Sequence, residues 1–246
     1  MEFTRRTYRQ RLCPSGMRAF TVTVKETDLW IAVEEKAMGE DLPRQVEQLL
    51  WRERRRLEQY IERDPQFLRS LEPYLVDMGA PPIALEMVRA GNSAGVGPMA
   101  AVAGAFAQYV GQHLLQFSPQ VIVENGGDIF LQCSQPVRVG VFAGSSPFSG
   151  KLALLVKSRG KPLGVCTSSG TVGPSYSMGR ADAAVIVAVS ASLADAAATA
   201  VANKIKDPRE LAAAVEFAGT IKGVKGALAI LGDRLAAWGE VELLGL

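Results

Sequence analysis

The sequence predicts an α+β fold, antiparallel sheets backed by helices, and three features predict it. Short apolar segments occur in neighbouring pairs, each pair separated by a turn. One long stretch, Leu42 to Arg63, has helical periodicity. Asn125-Gly126-Gly127 joins two apolar runs, and an Asn-Gly pair is the strongest short-range hairpin signal. The two halves of the chain are alike in outline, each with strands, then paired helices, then more strands. No residue-level repeat accompanies that outline.

In order, residues 4–12 and 19–33 are expected as strands, because Phe20, Val22 and Val24 alternate with Thr21, Thr23 and Lys25. Pro14-Ser-Gly16 and Glu26-Thr-Asp28 supply the turns of an antiparallel meander. In Leu42 to Arg63, Val46, Leu49, Leu50, Leu57, Tyr60 and Ile61 recur every three to four residues. Pro43 suits the first turn of that helix, and Asp64-Pro65 stops it. Residues 66–79 give a short helix and a connector, and Pro81-Pro82 opens another helix, ending near Gly91. Gly91 to Pro98 is expected as a polar loop, and Met99 to Phe117 as an alanine-rich helix whose Gly104 and Gly111 permit close packing or ligand contact. Strands are expected at 120–124, 128–133, 137–142, Leu152 to Val156, Leu163 to Cys166 and Val185 to Val189, with a long glycine- and serine-rich loop at 167–182. Leu193 to Lys204 and Asp207 to Phe217 read as helices, and the tail as strands near 219–222, 227–231 and 235–244.

Bulk properties exclude several classes. Hydrophobic residues make up 48% of the 246 and charged residues 21%, so the chain can bury a core. The net charge of +2 is too small to point to nucleic acid. The run Arg52, Arg54, Arg55 and Arg56 interleaves with Glu47, Glu53, Glu58 and Glu62, as on a solvated helix face. Cys13, Cys133 and Cys166 have no paired spacing, which argues against a disulfide framework and a zinc knuckle. The single histidine, His113, rules out a His-rich metal site and leaves no basis for a Ser-His-Asp triad. No apolar run is long enough to span a membrane, and Met1-Glu-Phe-Thr-Arg-Arg6 is not a signal peptide, so a cytoplasmic protein is expected.

Three pieces carry the candidate chemistry. The first is Glu124-Asn125-Gly126-Gly127-Asp128, either a plain turn or a turn whose two carboxylates and bare amides orient a ligand; Gly127 would let a flat ligand approach the backbone. The second, Thr167-Ser168-Ser169-Gly170-Thr171, offers hydroxyls and amides that are either a polar turn or an anion nest. It is not a Walker loop, because no Gly-Lys-Ser follows. The third is Ser192-x-x-Asp195, which fits a helix capping box. Thr199 and Asn203 continue the face of Asp195, and a carboxylate with a hydroxyl is an all-oxygen pair suited to Mg²⁺ or Ca²⁺ rather than zinc.

In this order the pieces resemble the ApbE-like superfamily, whose best-known members are FAD:protein FMN transferases, formerly called thiamine biosynthesis lipoproteins. The superfamily's Gly-Gly-Asp turn is matched by Gly126-Gly127-Asp128, its Thr-Ser-Gly loop by Ser168-Ser169-Gly170, and its Ala-Asp-Ala-x-Ala-Thr helix start by Ala194 to Thr199. The resemblance covers about residues 91–204 and implies a duplicated fold of antiparallel sheets backed by helices (T-fold-like repeats). It places the chain, residues 1–246, in one domain of two pseudo-repeated halves. It implies Mg²⁺ on Asp195, Thr199 and the Ala100 carbonyl, with FAD as substrate or ligand. Departures are present as well. Ala103 stands where the superfamily has a lysine, its His-Ile-Ile-Asp-Pro segment is replaced by Gly173 to Asp182 with Pro174 within it, and the lipoprotein leader is absent.

These readings leave three functions open. One is Mg²⁺-dependent FMN transfer from FAD to an acceptor protein, or cleavage of the FAD pyrophosphate, with Asp195 catalytic, Glu124, Asn125 and Asp128 orienting the nucleotide, and Ser168, Ser169 and Gly170 holding phosphate. The second is a non-catalytic binding protein for a flavin, another nucleotide or an anion. The third is an interaction module whose glycine loops are only turns. Neither nucleic acid nor membrane is expected as a partner.

Overall fold

Strand alternation sets the layers of the computed structural model, which describes residues 13–170 and 178–246. The strand expected at 4–12 lies outside the described residues, as do Thr171 and Pro174. The first hairpin is β1 (Met17–Val24) and β2 (Thr27–Glu34), closing at Val24 opposite Thr27. Lys25 turns it with a φ of 52°. In β2, Leu29, Ile31 and Val33 face the helices, while Trp30 and Ala32 face the opposite side.

Helix α1 (Leu42–Arg63) starts and stops where its prolines indicate. Its charged face is internally neutralised, with Arg54 Nη2 2.5 Å from Glu26, Arg56 Nη1 2.9 Å from Glu53, and Lys25 Nζ 2.8 Å from Glu58. After α2 (Pro65–Arg69) come α3 (Pro82–Ala94), a 3-10 turn at Pro98–Ala101, and α4 (Val102–Leu114). Helix α3 outruns its expected end at Gly91. That glycine is there for packing, since a Cβ on it would stand 2.8 Å from the Val96 carbonyl oxygen. The helix stops instead at Gly95, whose φ of 76° closes a left-handed C-cap. The expected polar loop thus shrinks to the few residues before the 3-10 turn.

The next strands are β3 (Val121–Asn125), β4 (Asp128–Gln132), β5 (Val137–Gly140), β6 (Leu152–Val156), β7 (Leu163–Ser168) and β8 (Ala183–Ala188). Helices α5 (Ala191–Asn203) and α6 (Leu211–Thr220) precede β9 (Val224–Leu231), β10 (Arg234–Gly239) and β11 (Leu243–Gly245). The strand expected near 219–222 is the end of α6. Gly219 permits this because it lies under the Trp238 ring, with Cε2 2.5 Å from where a Cβ would be.

An eight-stranded sheet runs β1-β2-β3-β4-β7-β8-β9-β10, and a three-stranded sheet runs β11-β6-β5. Every pairing is antiparallel. The large sheet falls into two sets of four strands, each a strand pair, then helices, then a strand pair. Its helix side buries Ile31, Val123, Phe130 and Ile186 against Leu50, Met87, Phe106 and Val201. Its other side buries Ile122, Leu131, Val165 and Val187 against Val139, Leu154 and Val156 of the small sheet. The molecule is therefore helices, large sheet, small sheet, an α+β architecture of antiparallel sheets. Among the described residues, no helix is long and apolar enough to cross a membrane.

Helix α5 lies at the centre of the helical layer, touching α3, α4, α6, β7 and β8. Its run of buried alanines follows from that position, since larger side chains would push these neighbours apart. The sheet approaches it just as closely: a Cβ on Gly164 would stand 2.6 Å from the Ala191 nitrogen.

Candidate functional site

The β3–β4 turn, the end of β7 and the first turn of α4 meet at one end of the large sheet, with α5 against them. The central bond is from the Gly104 amide to Asp195 Oδ2, 2.8 Å. Asp195 therefore caps a helix, but α4 rather than its own. The cap of α5 is Ser190, which accepts from the Leu193 amide. The capping box expected at Ser192 is corrected accordingly. Ser192 sits inside the helix, where its hydroxyl donates to Glu86 Oε1 at 2.6 Å and lies 3.2 Å from Gln108 Oε1.

In an unbroken helix the Gly104 N–H would donate to the Ala100 carbonyl. Its diversion to Asp195 withdraws that i→i+4 partner from Ala100, which sits half-buried in the 3-10 turn. The next carbonyl, Ala103, accepts from Asn125 Nδ2 at 3.0 Å. Asn125 thus fastens the hairpin turn to α4 through its side-chain amide. Gly126 and Gly127 have φ of 69° and 107°, which the turn requires and side chains rarely adopt.

Alternation separates the two carboxylates of the turn. Asn125 and Asp128 lie on the helix side with Val123 and Phe130, whereas Glu124 falls on the side of Ile122 and Ile129. Glu124, 1% exposed, accepts from the Gly127 amide at 2.7 Å and so braces the turn from behind. Asp128 Oδ1 accepts from the Thr167 amide at 3.3 Å. Cys166 and Ser168 share its side of the sheet, and the Cys166 thiol donates to the Ala191 carbonyl at 3.3 Å. Ser168 Oγ is buried and has no hydrogen-bond partner, while Ser169 Oγ donates to the Ala181 carbonyl at 3.3 Å. The Gly170 amide donates to the same carbonyl at 2.9 Å.

Asp128, Cys166 and Asp195 thus form a buried group in which each charge is unfavourable. Burial, and secondarily the charge of Glu124, push the Asp128 carboxyl up to about 7, against the opposing pull of hydrogen bonds from Cys166 and the Thr167 amide. Burial and then the charge of Asp128 hold the Asp195 carboxyl well above the usual range, although the Gly104 and Ala103 amides pull it down. Burial raises the Cys166 thiol as well, followed by the charges of Asp128 and Asp195. Of this group Cys166 was missed in the sequence; its place two residues before Ser168, on one strand face, was the available signal.

Asp195 and Thr199 are one helical turn apart and both half-buried on a helix whose intervening residues are buried. They form its one open stripe, which Asn203 continues; Asn203 Oδ1 accepts from the Met178 amide at 2.8 Å. Among the described residues, no group of three or more His, Cys, Asp or Glu side chains is set to hold a metal ion. A cation here would have to use hydroxyl and carbonyl oxygens beside Asp195. The donor set on offer is of that kind, and a cation would offset the cost of burying two carboxylates. His113 is elsewhere, edge-on to Phe117 at 5.5 Å between ring centroids.

Solved structures of flavin transferases share this fold. The flavin transferase ApbE from Vibrio cholerae superposes with a TM-score of 0.60, covering 92% of this chain and 97% of that one, and at 13% identity the likeness is one of fold. The family itself is fixed by sequence: the model of the family described as AbpE bacteria matches residues 10–224, and the chain belongs to that family. Among its relatives, the UPF0280 protein of Methanocella arvoryzae is 46% identical over 78% of each chain. That of Methanosphaerula palustris is 45% identical over 90% of this chain and 87% of its own.

Proposed function

We propose that this protein binds a flavin nucleotide at the junction of α4, α5 and the two strand ends, and cleaves the pyrophosphate of FAD with Mg²⁺. FMN passes to a hydroxyl of an acceptor protein or to water. The observations that carry this reading are the open stripe of α5, Asp195 with Thr199, and the Gly104 amide, which is given to Asp195 and not to the Ala100 carbonyl. Asp195 would supply a carboxylate oxygen, Thr199 its hydroxyl and Ala100 its carbonyl. Mg²⁺ usually keeps water and phosphate oxygens in its remaining positions, so one carboxylate and two neutral oxygens suffice. The chemistry a bound Mg²⁺ supplies is neutralisation of phosphate charge as oxygen attacks phosphorus.

The protein's own groups bind and orient. The unpartnered Ser168 hydroxyl is a donor for a phosphate oxygen, with Thr167, Ser169, Gly170 and Thr171 completing that segment. Asn125 Oδ1 and Asp128 face the nucleotide, while Gly126 and Gly127 leave the backbone open to a flat ring. Glu124 acts by holding the turn. In the same proposal the chain is one domain of two pseudo-repeated halves. It resides in the cytoplasm, a reading supported by three free cysteines, one of them exposed.

The test is FAD binding with and without Mg²⁺, followed by product analysis for FMN and AMP. Mg²⁺-dependent release of both products, abolished in Asp195→Ala, is expected. Unchanged turnover in that variant would remove the mechanism. A second reading, binding without chemistry, is favoured by Ala103, which brings no side-chain amine to the start of α4. FAD binding without products would select it.

A further inference from the structure

We infer that Arg180 is the cation that receives the phosphate groups of the ligand. The inference rests on the proposed flavin-nucleotide reading and names the residue that makes its anionic part bindable. A pyrophosphate brings negative charge to a region that already holds the buried acids Asp128 and Glu124 and the half-buried Asp195. A basic side chain beside it would offset that charge together with the proposed Mg²⁺.

Residues 178–181 run between the serine segment of β7 and the C-terminal end of α5. Four hydrogen bonds fix them there. The Met178 amide donates to Asn203 Oδ1 at 2.8 Å, and the Arg180 amide to the Ile205 carbonyl at 2.7 Å. The Ala181 carbonyl accepts from the Gly170 amide at 2.9 Å and from Ser169 Oγ at 3.3 Å. Gly170 and Gly179 let these backbones touch: a Cβ on Gly170 would stand 2.7 Å from the Gly179 carbonyl carbon, and one on Gly179 the same 2.7 Å from that of Ala202. The root of Arg180 is consequently rigid and adjacent to Ser169-Gly170.

The side chain itself is exposed and, among the described residues, pairs with no carboxylate. Of the other basic residues beyond this end of α5, Lys204 has its Nζ 4.1 Å from the centroid of the Phe217 ring and Arg209 pairs with Asp207, while Lys206 is exposed and, unlike Arg180, is not bonded through its backbone to the segment beside Ser169-Gly170. A planar guanidinium can take two phosphate oxygens at once, which an unpaired arginine on a fixed backbone is suited to do.

Calorimetric titration of the wild type, Arg180→Ala and Arg180→Lys with FAD, riboflavin and inorganic pyrophosphate, all with Mg²⁺, tests this. Arg180→Ala should weaken FAD and pyrophosphate about tenfold or more, the loss of a hydrogen-bonded charge, and leave riboflavin unchanged. Arg180→Lys should recover part of the loss. An Arg180→Ala protein that binds FAD and pyrophosphate as the wild type does would overturn the inference. So would an equal loss for riboflavin, or a wild type that binds neither phosphate ligand. Pyrophosphate bound through Arg180 by a wild type that ignores FAD would uphold the arginine and overturn the flavin reading. Because Arg180 is exposed, a matching thermal melt shows that the alanine variant remains folded.

Discussion

Gly104→Ala is the sharpest single perturbation of the contact on which the site depends. A Cβ at this position would stand 2.8 Å from the Asp195 Cβ and 2.8 Å from the Ala191 carbonyl carbon, with the Ala191 oxygen closer still. The main obstacle is backbone at the start of α5 and cannot rotate away, so α4 and α5 must separate. Overpacking of this kind costs about 3 kcal/mol, at the upper end for one added methyl because no side chain can yield. Alanine returns up to about 1 kcal/mol through its helix propensity. The expected net loss is about 2 kcal/mol, a fall of roughly 0.7 M in the urea midpoint for a slope near 3 kcal/mol/M. Gly39→Ala is the control, since nothing lies within 4 Å of its added Cβ, and it should leave the midpoint unchanged. Urea titration followed by circular dichroism reads both. A Gly104→Ala midpoint equal to or above that of the wild type would refute the close α4–α5 contact and the Asp195 cap that depends on it.

Other outcomes follow from the same contacts. The Asp128 carboxyl ordinarily titrates at 3.8 and here at about 7, so between those values the folded chain holds a proton that the unfolded chain has released. Without added metal, the stability that Asp128 contributes should be fully present below the lower value, be lost as pH rises toward 7 and stay lost above it; Asp128→Asn should remove that part of the pH dependence, and a variant whose urea midpoints follow the wild-type pH profile would contradict the assignment. Ser190→Ala removes the true cap of α5 and should cost about 1 kcal/mol. Ser192→Ala takes a donor from Glu86 and Gln108 and should cost about 1–3 kcal/mol, and a Ser190→Ala protein that melts with the wild type would restore the sequence-based cap at Ser192. Asn125→Ala frees the Ala103 carbonyl and should cost about 1–2 kcal/mol while speeding amide exchange at the start of α4; unchanged exchange there would separate the turn from the helix.

The sequence was most legible where the chain marks its own boundaries. Leu42-Pro43 and Asp64-Pro65 bracket α1, and its periodicity lies between them. Glycines were harder, because the same residue can end a helix or let one pack closely. Gly91 and Gly219 look like stops and are contact points, whereas Gly95, with its positive φ, is the stop. The three candidate motifs could be found by residue type, but their division between sheet faces emerges only from the register. Alternation through β3 sets Glu124 opposite Asn125, so the two carboxylates around the turn face opposite sides of the sheet. Capping was misassigned by two residues because Ser190 and Ser192 are equally good cap types, and only the placement of Gln108 and Glu86 separates them. Arg180 carried no signal in its local sequence; its unpaired charge emerges only when the ion pairs of the fold are known.

Within the large sheet the junction of β4 with β7 has the shortest ladder, Ile129 with Val165, Phe130 with Gly164 and Leu131 with Leu163. The bonds from Thr167 to Asp128, from Gly104 to Asp195 and from Ser192 to Glu86 all cross this line. Neither side owns the site, which behaves as a clasp between two leaves. A chain opened in the turn after Cys133 would yield two fragments, each carrying part of the clasp, and an occupant held by both would draw them together by mass action.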